Sequence, residues 1–302
     1  LPQPVWSPLA PKTIELKSVE HYEELALTIE LTVQQLLRDH TYNTVGNFLR
    51  FYKEYRGSDE WDLKRFLRQY RPIITDGHHT CVGLGLEAIE RLHQLEARWS
   101  QLAGALQLVS CEEAVEDTTA YTASPYPPSH IETEKEHVLV CAHISVAGRR
   151  GVLLLDPGYH VARVITVMED GLYPHSGWFT QTDEGTVKKE YMYAFGKNKD
   201  YVVWEVAETR GHAKKAYVSL IYVARAFFSA VDVTERRNLV YDFRSWLGRD
   251  TKGQITAGIY FSIPDGIALD GHMFTLLYTD PLSSVKHRLK LNFSSFLNQV
   301  II

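Results

Sequence analysis

The chain has 302 residues, enough for one large domain or two to three small ones. Its 45% hydrophobic and 23% charged residues are ordinary for a soluble globular protein, and a net charge of −5 gives no electrostatic case for a nucleic-acid partner. No apolar run approaches the roughly 18–20 residues of a membrane span, so no membrane partner is expected. Three cysteines, an odd and low number, argue against a disulfide framework and make a reducing, cytoplasmic setting the expectation.

Residues 1–11 are Pro-rich and lack the basic and apolar regions of a secretory signal. Val19, Tyr22, Leu25, Ile29, Val33, Leu36 and Leu37 then fall on one face of a helix of about five turns. Two shorter helices follow, carried by Val45, Phe48, Leu49 and Tyr52, then by Trp61, Leu63, Phe66, Leu67 and Tyr70, with Ser58 as cap and Pro72 as stop. The run from Cys81 to about Leu102 reads as a fourth helix, whose Gly83 and Gly85 permit close packing against a sheet. A strand over 106–111 leads into a polar, Pro-containing loop over 112–136, long enough to act as a lid or insert.

From His137 the pattern turns to strands. Those at 137–145 and 151–156 are joined by a hairpin-type connection at 147–151. Further strands are expected at 160–168, 187–195, 200–207, 215–223, 255–263, 272–279 and 288–294, interrupted by a helix over 233–247. Helices first and strands after, with little alternation, make this α+β: an N-terminal helical bundle, then a central cysteine-bearing helix packed on an antiparallel sheet or barrel. The expected division is 1–72 for the helical segment, 73–185 for the core, and 186–302 for a β-rich part of the same compact unit.

The chemistry lies in that core. A helix N-terminus carries partial positive charge and favours a thiolate, so Cys81, opening a helix after a polar turn, is the candidate nucleophile. A thiol nucleophile needs a base, and the base needs an orienting group. If the 137–145 and 151–156 strands pair as a hairpin, His137 and Asp156 meet at one edge of the sheet, as base and orienter. Against this stand plainer roles: an inert helix cysteine, an exposed strand-opening histidine, and a turn aspartate before Pro157-Gly158. His79, Thr80 and Tyr159 are candidates for the pocket or oxyanion site, and Trp178, in the aromatic loop 173–179, for a pocket wall. The backbone N–H of Cys81 is a further oxyanion donor. His78 and His79 lie near Cys81, but the scattered histidines lack paired metal-ligand spacing, and no metal is expected. Cys111 and Cys141 sit in apolar runs and read as buried hydrophobes. The charged segment 232–238 reads as a solvated helix start.

At Cys81, His137 and Asp156 in Leu-Leu-Leu-Asp156-Pro-Gly-Tyr, the sequence resembles the arylamine N-acetyltransferases and, more broadly, the transglutaminase-like (papain-like) cysteine superfamily. The resemblance spans about residues 70–180. It implies a transglutaminase-like core, a Cys-His-Asp triad, and acyl transfer or hydrolysis with a small-molecule or peptide acyl donor. It implies no bound cofactor, with acetyl-coenzyme A or another acyl thioester entering as substrate. Where the acetyltransferases carry Arg-Gly-Gly before the cysteine, this chain has Asp76-Gly-His-His-Thr80. Two alternatives remain open: a catalytically inactive scaffold of the same fold that binds a protein partner, and a papain-like peptidase or amidase.

Overall fold

The structure is a computed structural model that describes residues 1–77, 79–129, 134–184, 187–263, 271–280, 282–283 and 285–295. It is α+β, with helices packed on a curled, mainly antiparallel sheet, and a second antiparallel sheet beside it.

After strand β1 (Thr13–Leu16), helix α1 (Val19–Asp39) is capped by Ser18 and buries Tyr22, Leu25, Ile29, Val33, Leu36 and Leu37 along one stripe. Strand β2 (Tyr42–Asn43) leads into α2 (Thr44–Arg56), and α3 (Leu63–Gln69) follows. These two helices differ from the sequence reading in detail. Asp62, not Ser58, caps α3, accepting from the backbone of Lys64 and Arg65. Leu49, Tyr52 and Trp61 are exposed, whereas α2 buries Thr44, Asn47 and Phe51. The polar residues go inward because Asn47 and Thr44 have buried partners in the C-terminal half, Glu235 and Ser245.

Helix α4 (Cys81–His93) is shorter than expected. It ends at His93, and the chain turns so that Trp99 stacks on His21 of α1, with ring centroids 5.2 Å apart, before a 3₁₀ turn at Ser100–Leu102. Leu84, Ala88 and Leu92 are buried in the core that α4 shares with α1 and the sheet. A Cβ on Gly85 would lie 2.7 Å from Leu108 Cδ2, so the glycine sets how closely α4 approaches β3 (Gln107–Glu112). Gly83 instead makes room for the His79 ring.

The main sheet comprises β3, β4 (His137–Val146), β5 (Arg149–Leu155), β6 (Ile165–Met168), β7 (Phe179–Glu184), β8 (Val187–Phe195), β9 (Tyr201–Arg210) and β10 (Ala213–Tyr222), in the order β6-β5-β4-β3-β10-β9-β8-β7. β3 pairs antiparallel with the first half of β4 (Cys111 opposite His137), and β1 pairs parallel with the second half (Thr13 opposite His143). The β4–β5 hairpin turns at Ala147 and Gly148, both at positive φ, the two-residue geometry that matches strand twist. β6 is shorter than expected because residues 157–164 form a turn held by Asp156 and Pro157 carbonyls. Strands β1, β2 and β7 had no clear alternation to announce them.

One face of this sheet packs under α1 and α4. The opposite face, curled on itself, encloses Val109, Cys111, Leu139, Cys141, Tyr191, Tyr193 and Trp204. Cys111 and Cys141 are therefore buried hydrophobes, and burial raises both thiol pKa values. The expected helix over 233–247 is only half helical. A π-helical turn (Val231–Glu235) runs into α5 (Arg236–Val240), and most of the rest is strand β11 (Phe243–Arg249) of the second sheet. With β12 (Ile255–Ser262), β13 (Met273–Thr279) and β14 (Lys286–Asn292) it forms the sheet β14-β13-β12-β11-β2. The segment 232–238 is not solvated: Val233, Thr234, Glu235, Arg236 and Asn238 are buried.

The loop 112–136 is tied down in its described part. Lys135 Nζ is fully buried and bonds Glu112 Oε2 at 2.6 Å and the Pro128 carbonyl at 2.8 Å. Tyr121 Oη donates to the same Glu112 carboxylate. Residues 130–133 of that loop lie outside the described residues.

Candidate active site

Three elements bring Cys81, His137 and Asp156 together. α4 presents Cys81 in its first turn, and β4 begins with His137. The β4–β5 register, with Val140 opposite Leu155, sets the residues following β5 beside His137. His137 Nε2 lies 2.9 Å from Asp156 Oδ1, and the Cys81 sulfur is close enough to help raise the pKa of the same imidazole. Since Nε2 faces the carboxylate, Nδ1 is the nitrogen left for the thiol. All three residues are buried.

Gly158 closes the arrangement from the side. A Cβ there would lie 2.7 Å from Cys81 Cβ and 2.8 Å from His137 Cε1, so only a glycine lets the turn after β5 pass this close. Asp156 is held from its own turn, where the Tyr159 backbone N–H donates to Oδ1 at 2.9 Å. The Tyr159 ring stands edge-on to His137 at 4.8 Å and rests on Trp204 at 5.3 Å, while its hydroxyl donates to Glu113 at 2.7 Å. Burial alone pulls the His137 pKa down. The Asp156 charge and hydrogen bond, with the Cys81 sulfur, more than offset this and leave it well above the ordinary imidazole value. The Asp156 carboxylate thus stabilises the protonated form of this imidazole.

The site opens on a cavity of about 730 Å³, within the size range of small-molecule sites. Cys81, His137 and Tyr159 line one side, and Tyr42, Ser245 and Arg249 of the second sheet line the other. Glu136 also lines it, its pKa pushed up to about 7 by burial and by Glu112. His160 reaches it as well, with a buried, unpartnered Nε2 and a pKa driven well down by burial and then by Arg249.

The other sequence candidates fall differently. Tyr159 is in the cavity as expected. Thr80 is buried just before the helix, but its hydroxyl donates to Glu235 and does not cap α4. His79 is buried beside the first turn of α4. Its ring packs over Gly83 and against His40, with centroids 4.8 Å apart, and both ring nitrogens are buried without a hydrogen-bond partner. Trp178 is 54% exposed and is not among the cavity-lining residues. Its loop is fastened elsewhere, Tyr173 donating to Glu23 of α1 and Ser176 N–H to Thr166 of β6, because the short β6 turns it toward the helical layer.

Sequence reasoning missed Tyr42, Glu235, Asn238 and the whole second-sheet wall. Asn238 Nδ2 lies 3.9 Å from Cys81 Sγ. Glu235 is buried and accepts from Thr80 and, at 2.6 Å, from Asn47 Nδ2. No local spacing could have revealed Glu235 and Asn238, since they act across about 155 residues of chain. The one hint was the polar run 234–238 following apolar Val231 and Val233.

His40, His79 and Glu87 place ligand atoms within 4.8 Å of one another. Arg91 already bonds His40 Nε2 at 2.9 Å and Glu87 Oε1 at 2.8 Å, so a fixed cation occupies the polar side of this cluster. A divalent ion there would sit against the guanidinium, and the donor set does not fit one. His78 lies outside the described residues. Among the described residues, no helix is long and apolar enough to cross a membrane.

Comparison with protein-family models, with curated proteins and with solved structures returned no match to this chain.

Proposed function

We propose that the protein is a cysteine-dependent acyl-transfer enzyme with a transglutaminase-like core, using Cys81 as nucleophile, His137 as base and Asp156 as the group that orients and stabilises the imidazolium. The observation that carries this reading is the buried group at the cavity wall, with Cys81 and His137 both packed against Gly158 and His137 Nε2 2.9 Å from Asp156 Oδ1. A cysteine with only a structural role has no need of a buried imidazole and carboxylate in sequence behind it, since burying such a charged group is costly unless it is paired.

In the first half-reaction the Cys81 proton passes to His137 and Sγ bonds the acyl carbon. The carbonyl π pair moves to oxygen. Collapse re-forms the carbonyl and breaks the bond to the leaving group, which takes the proton from His137. In the second half-reaction an amine or water attacks the acyl-enzyme, giving its proton to His137, and Cys81 thiolate leaves. Tyr159 and Trp204 shield the imidazole from water on one side. Donors of the acyl-thioester or activated-ester class suit this chemistry, with acetyl-coenzyme A as one member.

Incubation with a panel of acyl thioesters, with and without amine acceptors, tests the reading. Amide or free acid should form with wild type and not with Cys81→Ala. Equal turnover by the variant excludes Cys81 as nucleophile. Cleavage of peptides in preference to thioesters would favour a peptidase instead. That alternative has less support, because among the described residues of the loop 112–136 only Glu113, Ala114 and Glu136 line the cavity.

A further inference from the structure

We propose that Asn238 is a catalytic residue whose side-chain amide donates a hydrogen bond to the oxyanion formed during attack by Cys81. This rests on the acyl-transfer reading above and adds a residue from outside the triad.

The π-helical turn and α5 dock one face against the tip of α4. Glu235 N–H bonds the Ala230 carbonyl, an i to i+5 bond that defines the wider turn. Glu235 and Asn238, three apart, then share a face. They meet two consecutive residues of the other helix: Glu235 takes Thr80, and Asn238 Nδ2 reaches Cys81 Sγ at 3.9 Å. The side chain of Asn238 also lines the 730 Å³ cavity, so it faces both sulfur and substrate space.

Its position is fixed from several directions. Thr234 Oγ1 donates to the Lys135 carbonyl at 2.7 Å, next to the strand that carries His137. Arg236 Nη1 donates to the Arg68 carbonyl at 2.9 Å. The fully buried Arg244 guanidinium binds the carbonyls of Asn238 and Leu239 at 3.3 and 2.6 Å, closing the helix end. Such preorganisation is what makes a donor effective at an oxyanion, because it need not reorient during the reaction.

The 3.9 Å separation suits an oxyanion better than the sulfur itself. At that distance an N–H···S bond is at the edge of its range, whereas an oxygen on the carbon newly joined to Sγ, about 2.7 Å from the sulfur and off the line to Nδ2, comes within hydrogen-bond reach of the amide. As the S–C bond forms, the carbonyl pair becomes an alkoxide, and Asn238 Nδ2 stabilises it. When the pair returns to re-form the carbonyl, the leaving group departs with the His137 proton. The Cys81 backbone N–H, in the first turn of α4, is placed to be the second donor.

The test separates two reactions of one thiol. Acylation of Cys81 by p-nitrophenyl acetate passes through an oxyanion, and alkylation by iodoacetamide does not. Both rates are followed by intact mass in wild type, Asn238→Ala and the similarly sized Asn238→Leu. Acylation should fall by roughly 10²-fold or more in both variants, the scale of losing one oxyanion donor, with alkylation little changed. A single alkylation, with the buried Cys111 and Cys141 left unmodified, also reports that the fold is retained. Equal losses in the two reactions would overturn the assignment, since Asn238 would then act on the thiol or the packing, and so would no loss in acylation. Wild type that alkylates but cannot be acylated by the ester or by an acyl thioester would sink the acyl-transfer reading itself, and this assignment with it.

Discussion

Replacing Glu235 by Gln should change how stability depends on pH. Glu235 is 1% exposed, and burial raises its pKa from 4.5 to about 7, against the lowering effect of hydrogen bonds from Thr80 and Asn47. Between these two values the folded protein holds a proton that the unfolded chain has released, so stability falls as pH rises through this window. The carboxyl is protonated in both states well below 4.5, ionised in both above 7, and its full penalty is present only at the upper end. At about 1.36 kcal/mol per pH unit, moving from 4.5 to about 7 costs about 3 kcal/mol. A glutamine keeps an acceptor for Asn47 and cannot ionise. Urea unfolding of both proteins across about pH 4 to pH 8 reads the difference, and the contributions of Glu136 and His137 cancel because both proteins share them. The stability of the glutamine variant relative to wild type should rise by about 3 kcal/mol across the range, with most of the change between pH 4.5 and pH 7. Parallel curves would refute the claim that this carboxyl is buried at the α4 tip with a raised pKa.

Three further outcomes follow from the geometry. Gly158→Ala would drive a methyl to within 2.7 Å of Cys81 Cβ and 2.8 Å of His137 Cε1, so acylation should drop on the order of 10²-fold while circular dichroism shows a retained fold. Asp156→Asn removes the charge that holds His137 protonated. The rate of acyl transfer should fall roughly 10⁴-fold, as when a triad carboxylate becomes an amide, and the pH–rate profile should show the imidazole titrating at lower pH. Lys135→Met strands the buried Glu112 carboxylate, and urea unfolding should show a loss of about 3–5 kcal/mol.

Much of the main architecture could be read from local pattern. The α1 stripe, the β4–β5 hairpin and the buried thiols of Cys111 and Cys141 are each announced by periodicity or apolar runs, and the hairpin alone places His137 beside Asp156. What escaped reading depends on contacts distant in sequence. α4 stops at His93 because Trp99 finds His21, although its own residues would continue a helix. Residues 243–249 pair as a strand because β2 and β12 flank them, despite a helical pattern continuing from 233. Asn47, Glu235 and Arg244 look like surface residues in isolation. Each is buried because its partner is supplied from another part of the chain: Glu235 for Asn47, Thr80 for Glu235, and the open carbonyls at the end of α5 for Arg244. Trp178 was misread for the opposite reason. Its aromatic neighbours suggested a pocket wall, but the loop is bound by hydrogen bonds on the helical side.

The most direct measurement for the triad is peptide mapping of the protein quenched after brief exposure to an acyl thioester, for wild type and His137→Ala. The account predicts one acyl group per wild-type chain, on Cys81, and little or none on the variant in the same time. An unmodified Cys81, or equal acylation of Cys81 with and without His137, would contradict it.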